Sequence, residues 1–286
     1  MRVKAAAKIN LALDVTGKRP DGYHSIESVF QTVGLYDEVE VELTKGGTEL
    51  SCEVPEEFAG ADPIPCDERN IAYKAAKMFF EENGMDCGCR IHIKKGIPSQ
   101  AGMGGGSTDA AAVLYCLGRM TGKTVGAPEK LGADVPFFLT GGTAYVEGIG
   151  EIIRPVDDYS GRILVIAKGR EGVSTAAAYR NIDSLTAPVH PETKKLVEAI
   201  KNAPDTAYRC FGNLFEQAVE LPEVETIKRK MLEGCARTAV MTGSGSAVFG
   251  LFDDAANAAI CAEKLRKQGF FAEVCETVAE SFIITD

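Results

Sequence analysis

The run Gly102-Met103-Gly104-Gly105-Gly106-Ser107-Thr108-Asp109 constrains this chain more than any other, because it passes directly into the alanine-rich stretch AAAVLYCLGRM. Four glycines in five residues allow φ angles closed to other residues and a close approach of backbone to ligand. The helix expected from about Ser107 adds unpaired N–H groups and a partial positive charge at its start. That combination suits a polyphosphate; the plainer reading is a flexible loop capped by Ser107.

Around this loop the hydrophobic pattern is that of a mixed α/β chain. From Ala7 to Thr16 the residues alternate, with Ile9, Leu11 and Leu13 on one face and Lys8, Asn10 and Asp14 on the other. This predicts a half-buried strand presenting Lys8 and Asn10 together. The turn-rich GKRPDGYH follows, then strand-like segments near Ser25–Thr32 and Glu38–Leu43, and a loop over 55–68. Helical spacing at Ile71, Ala75, Met78 and Phe79 stops at Asn83-Gly84, and Cys89–Lys94 alternates as a strand. Beyond a boundary near Asp157 to Arg162 the order reads strand (163–168), helices (191–202, 212–220, 223–233), strand (238–241), the turn TGSGS, strand (247–252), helix (254–268), strand (271–278). Taken as β-α-β-β-α-β, this is a ferredoxin-like pattern with extra helices in its first crossover.

Several familiar chemistries fail on spacing. Gly122-Lys123-Thr124 lacks the glycine a Walker loop needs five residues earlier, where Leu117 stands, and reads as a helix-ending turn. Neither glycine-rich loop spells G-x-G-x-x-G, since Ser107 and Val248 fall at the third glycine, and no G-x-S-x-G elbow exists. Cys87-Gly-Cys89 is too tight for a zinc knuckle, and three histidines are few to complete one. His92 and His190 read as solvated. Asp21, Gly22, Tyr23 and His24 put a ring, a donor and an acceptor on one turn, which serves a planar base or a hairpin closure equally well.

Charge narrows the partners. With 31 Lys and Arg against 41 Asp and Glu, the net charge of −10 repels nucleic acid and anionic membranes, so an anionic ligand must be held locally. Nine cysteines, scattered among apolar segments with no secretory signal ahead of them, read as reduced thiols and point to the cytoplasm. No apolar run approaches the roughly 18 to 20 residues of a membrane span. A length of 286 residues, 45% of them hydrophobic, suits about two globular domains.

Four segments, AKINLALDVTGKRPDGYHS, PSQAGMGGGSTDAAAVL, LGADVPFFLTGGTAYVEGIGE and MTGSGSAVFGLF, resemble in order and type the signature segments of the GHMP kinases. Their KINL…GYH and GADVP pieces are most similar to the members that phosphorylate a cytidine-diphosphate-linked methylerythritol, and the match runs from about residue 5 to residue 252. The resemblance implies a two-domain α/β (α+β) fold. Its N-terminal mixed domain would span 1–158 and its ferredoxin-like C-terminal domain 159–286, with the active site in the cleft between them. It implies transfer of the ATP γ-phosphoryl group to the substrate's 2-hydroxyl in the non-mevalonate isoprenoid pathway. Alternatives of the same family act on homoserine or a mevalonate-type alcohol, and a non-catalytic nucleotide-binding relative is a further one.

Carried over position by position, Asp134 matches the catalytic base and Lys8 the catalytic lysine. Gly102, Met103, Gly104, Gly105, Gly106, Ser107 and Thr108 match the ATP phosphate cradle. Asn70 and Lys95 match positions near the adenine; Asn10, Tyr23 and His24, and more loosely Tyr179, match the pocket of the cytidine-bearing substrate. Gly243, Ser244 and Gly245 match the third motif, which supports the phosphate loop. Mg²⁺ is expected on the ATP phosphates, with Ser107 or Thr108 as a partner, in a monomer or a homodimer. The chain departs from the family between the glycine-rich helix and GADVP, where Thr121 to Leu131 replace a further helical stretch, and Met103 and Thr108 replace a usual Leu and Ser.

Overall fold

The N-terminal alternation continues into a long hairpin from which the rest of the molecule is hung. In this computed structural model, which describes residues 1–55 and 64–286, the first part of the chain runs β1 (Arg2–Lys18), β2 (His24–Thr44), β3 (Glu49–Glu53), α1 (Ile71–Glu82), β4 (Gly88–Lys94), α2 (Gly105–Thr121), α3 (Val135–Thr140), β5 (Thr143–Glu147) and β6 (Ile152–Pro155). There follow β7 (Ile163–Lys168), α4 (Thr175–Ile182), α5 (Thr193–Asn202), β8 (Gly212–Asn213), α6 (Pro222–Glu233), β9 (Thr238–Met241), β10 (Val248–Phe252), α7 (Ala255–Arg266), β11 (Phe271–Glu276) and β12 (Phe282–Ile284). Of the loop expected over 55–68, residues 56–63 lie outside the described residues.

The first sheet has the order β12-β1-β2-β4-β3, with β5 also on β2, β6 on β5 and β8 on β1. The two segments expected at 25–32 and 38–43 are one strand: β2 changes partner from β5 to β4 instead of ending. Gly34 and Leu35 fall between the paired residues Val33 and Tyr36, a bulge that bends the strand where the exchange occurs. The second sheet, β11-β7-β10-β9, is antiparallel throughout and realises the expected ferredoxin-like pattern. The two parts of the chain share the first sheet, because β8 and β12 both pair with β1.

Three apolar clusters stack the layers. Helices α1 and α2 cover one face of the first sheet through Phe79, Val113 and Leu117. The sheets pack on each other through Ile9, Leu11, Leu164, Ile166 and Phe249. Across the second sheet, Ile227, Met231 and Leu265 seat α6 and α7. Strand β1 is therefore buried on both faces from Ala5 to Val15, not half-buried as its alternation suggests. Its polar face does not meet water; it meets the cleft.

The helix expected at 212–220 is instead β8 followed by a 3-10 turn over Leu214–Gln217. The Asn213 side chain caps that turn by accepting the Phe215 N–H, a local bond that competes with a regular helix. Strands β3 and β12 and helix α4 carry no periodic signal long enough to be read from sequence.

Candidate active site

A shift in the β1–β2 register aims the two polar residues of β1. Ala5 packs with the α1/α2 layer, yet after the shift between Ala6 and Ala7 it is Ala7, Ile9 and Leu11 that fill the space between the sheets. Lys8 and Asn10 are thereby turned to the helix side, toward the start of α2. There Lys8 is 4% and Asn10 1% exposed. The Lys8 ammonium lies 4.5 Å from the centroid of the Phe30 ring and donates to Asn10 Oδ1 at 2.9 Å.

Two glycine-rich loops dock on this stretch of β1. The Lys8 N–H donates to the Met103 carbonyl at 3.1 Å, and the Asn10 N–H to Thr242 Oγ1 at 3.0 Å. Asn10 Oδ1 also accepts the Gly243 N–H at 3.0 Å, which ties the third motif to the strand. The loops touch each other as well: a Cβ on Gly243 would stand 2.7 Å from Gly102 Cα. Gly102 and Gly104 adopt φ of 73° and 71°, and a Cβ on Gly104 would meet the Phe138 ring at 2.8 Å, so both conformation and space require glycine there. Helix α2 begins at Gly105, two residues earlier than expected, and its first internal bond is Thr108 N–H to Gly104 C=O at 2.8 Å. The amides of Gly105, Gly106 and Ser107 precede that bond and are left for a ligand.

Asp134 faces this cradle. It occupies the N-cap position of α3 but makes no capping hydrogen bond; its Oδ2 lies 3.6 Å from the Lys8 ammonium instead. Pro136 sets the first turn of α3, and Phe137 and Phe138, both buried, fix the helix, Phe137 edge-on to Phe30 at 5.2 Å. Lys8, Asn10, Phe30, Gly102, Gly104, Asp134, Gly243 and Ser244 line a cavity of about 190 Å³ that continues to Thr175, Tyr179 and Phe215. A larger hollow of about 500 Å³ beside Tyr73, Phe80 and Cys87 gathers none of these groups, so chemistry and not size locates the site.

The GHMP kinase N-terminal domain model matches residues 70–142 and the GHMP kinase C-terminal model residues 198–270. The chain is 42% identical, over 94% of its own length and 96% of the relative's, to a 4-diphosphocytidyl-2-C-methyl-D-erythritol kinase of Clostridium botulinum (strain Eklund 17B / Type B). The chain belongs to the GHMP kinases. A crystal structure of a 4-(cytidine 5'-diphospho)-2C-methyl-D-erythritol kinase superposes with a TM-score of 0.78 at 31% identity, covering 97% of this chain and 100% of that one. A homoserine kinase from Cytophaga hutchinsonii shares the fold, with a TM-score of 0.76 at 18% identity over 100% of this chain and 97% of its own. This kinase is therefore an ATP-dependent phosphotransferase with a small-molecule substrate, and among the described residues no helix is long and apolar enough to cross a membrane.

At the far end of the cleft the His24 and Tyr179 rings stack on each other, 4.7 Å apart and 18° from parallel. Tyr179 also meets Phe215 edge-on at 5.0 Å. Burial, helped by the charge of Asp134, pushes its phenol up to about 12. His24 Nε2 bonds Asp183 Oδ1 at 2.7 Å, and Lys18 donates to Asp183 Oδ2 at 2.6 Å. Those bonds, Lys18 first and then His24, hold the Asp183 carboxyl below its ordinary range. Tyr23 is 61% exposed and does not line the cavity.

The adenine-side expectations fare differently. Asn70 caps α1: its Oδ1 accepts the Ala72 N–H at 2.9 Å and its Nδ2 donates to the Pro65 carbonyl at 2.8 Å. Ile71 beside it lies 3.5 Å from where a Cβ on Gly106 would be, so the cap borders the cradle. Lys95 stands apart from the cavity wall: its ammonium is buried under the loop between Asp37 and Asp109. The Met103 side chain is likewise buried between the sheets, leaving only its main chain at the cradle. Ser244 Oγ pairs with Thr175 Oγ1 at 3.0 Å, and Gly245 continues the turn away from the cavity wall.

Sequence reasoning missed Asn213, whose amide donates to the carbonyls of Met241 and Gly243 at 2.7 and 2.8 Å and so braces the third motif. It also missed Thr175 and Asp183. Nothing local marks them, since their partners lie far along the chain.

Proposed function

We infer that this chain transfers the γ-phosphoryl group of ATP to the 2-hydroxyl of 4-diphosphocytidyl-2-C-methyl-D-erythritol, a step of the non-mevalonate isoprenoid pathway. The observation that carries the reading is the Lys8–Asp134 pair at 3.6 Å, facing a glycine cradle at one end of a cavity whose other end is aromatic.

Phosphoryl transfer passes through a loose transition state, so alignment and charge stabilisation carry most of the catalysis and the proton leaves the hydroxyl late. In this reading Asp134 orients the hydroxyl and accepts its proton. Lys8, buried 3.6 Å from Asp134, offsets charge on the transferring group and holds the Asp134 carboxylate in place. Gly102, Met103 by its main chain, Gly104, Gly105, Gly106, Ser107 and Thr108 receive the ATP phosphates, and Asn70 sits at the adenine side. Gly243, Ser244 and Gly245 back the cradle. Tyr179, His24, Tyr23 and Asn10 take the cytidine-bearing substrate, each ring offering a face to cytosine.

Mg²⁺ would neutralise the phosphate oxygens. The residues fit an ion that arrives with the nucleotide: Thr108 Oγ1, in the first turn of α2, is buried with no hydrogen-bond partner, and Ser107 precedes it in the same turn. We place the protein in the cytoplasm, as monomer or homodimer, and keep 1–158 and 159–286 as its two domains.

Purified protein given ATP, Mg²⁺ and the cytidyl substrate should release ADP, with homoserine and mevalonate giving none above background. Turnover of either of those instead moves the specificity to another branch, and nucleotide binding without ADP from any alcohol overturns the kinase.

A further inference from the structure

The ammonium of Lys95 lies beneath the glycine-rich loop and joins that loop's two ends. Lys95 immediately follows β4, and Asp109, 14 positions further on, stands in the second turn of α2, so the residues between them are the loop itself and the first turn of the helix. Lys95 Nζ donates to Asp109 Oδ2 at 2.7 Å and to Asp37 Oδ2 of β2. The other oxygen of Asp37 accepts the N–H groups of Gly96 at 2.7 Å and Ile97 at 2.8 Å, the first residues of the loop. All three side chains are buried: Lys95 is 6%, Asp109 5% and Asp37 0% exposed.

The ammonium also sits 3.5 Å from where a Cβ on Gly105 would be, directly under the first residue of α2. Gly105 is thus wedged between the nucleotide side of the cradle and the buried pair. Burial works to lower the Lys95 pKa, but Asp109 and then Asp37 outweigh it and hold the group charged, above its ordinary value. A phosphate reaching Lys95 would have to displace a buried carboxylate from its partner and leave that charge unpaired.

We propose that Lys95 is a positioning residue and not a nucleotide ligand: with Asp37 and Asp109 it clamps both ends of the phosphate loop, so that the amides of 102–107 hold their cradle shape before ATP arrives. Asp37 fixes where the loop leaves β4, and Asp109 fixes where it enters α2. Between those anchors the glycines retain a single path, which lowers the ordering cost of binding. The inference rests on the reading of this loop as the phosphate cradle.

The test separates the two. Amide hydrogen exchange over residues 95–110 is measured without nucleotide, alongside steady-state kinetics, for wild type and for Lys95→Met/Asp109→Asn, which removes the ammonium and one carboxylate charge together. The expected result is exchange at 102–107 faster by at least about tenfold in the absence of ligand, KM for ATP raised about tenfold, and kcat within about threefold. Should the double variant not fold, Asp109→Asn alone, which leaves Lys95 on Asp37, gives the same signs at smaller amplitude. Unchanged exchange with a raised KM makes Lys95 a direct nucleotide contact and overturns the clamp, and so does exchange and KM both unchanged. Because the exchange readout needs no catalysis, a failure of the kinase reading, seen as no ADP from wild type, stays distinct from a failure of the clamp.

Discussion

The two ends of the cleft are built from different materials. At the phosphate end the contacts are main chain on main chain: Met103 on β1, Gly243 against Gly102, the free amides at the start of α2. Behind them stand buried side chains with their bonds made, Asn10 to Lys8, Gly243 and Ser28, and Asn213 to two carbonyls. At the base end the contacts are side chain on side chain. His24 and Tyr179 occupy each other's faces at 4.7 Å, closer than a ring inserted between them would allow, and Asp183, which steadies His24, has a third of its side chain exposed. In the proposed reading the catalytic end is thus preorganised, whereas the recognition end would take its working form when a base separates the two rings.

The sharpest break of this contrast is at Asp134. Asp134→Asn keeps the shape of the side chain and removes its basicity, so kcat should fall by about 10² to 10⁴ with both KM values within about threefold. Steady-state rates with ATP and the cytidyl substrate decide it. An unchanged kcat would take the base role from Asp134 and leave the Lys8 pair structural.

How far this contrast could be read from sequence follows the same division. The glycine cradle was legible because backbone geometry demands glycine, and glycine is visible in any alphabet; Gly102 and Gly104 need it for φ and for Thr242 and Phe138 nearby. The four-stranded sheet was legible from its periods. Lys8 and Asp134 were named only through resemblance, since a lysine on a strand face and an acid before a proline have ordinary explanations on spacing alone. What stayed hidden depends on distant partners. Asp37 and Asp109 look like a strand acid and a helix-dipole acid until Lys95 brings them together, and the burial of Lys8 needs the bulge at Ala6/Ala7, which leaves no mark in composition.

At the base end the expected effect is smaller and falls on a different constant. Tyr179→Ala removes one stacking face, worth about 1 to 3 kcal/mol, so KM for the cytidyl substrate should rise by about 5- to 150-fold. KM for ATP should not move. If the ATP constant shifts instead, the two ends are mechanically joined through Thr175 and Ser244, and the separation drawn above fails.

The smallest effect tests what steadies the base end before substrate arrives. Asp183 receives Lys18 and His24, and those bonds keep its carboxyl below the ordinary 3.8. A carboxyl depressed on folding contributes stability that is fully present above its unfolded value and is lost as pH falls through the folded one. Wild type should therefore melt slightly above Asp183→Asn, by no more than about 3 °C because the pair is solvent-screened, at every pH from 7 to near 4. Below about 3.8 the gap should close as the wild-type carboxyl protonates. Paired thermal melts across that range, with the Asp183 carboxyl followed by ¹³C chemical shift, read both quantities. A gap that closes already between pH 7 and 5 would show that the ionised Asp183 carboxylate does not hold the tether, and the steadying role given to it would fall.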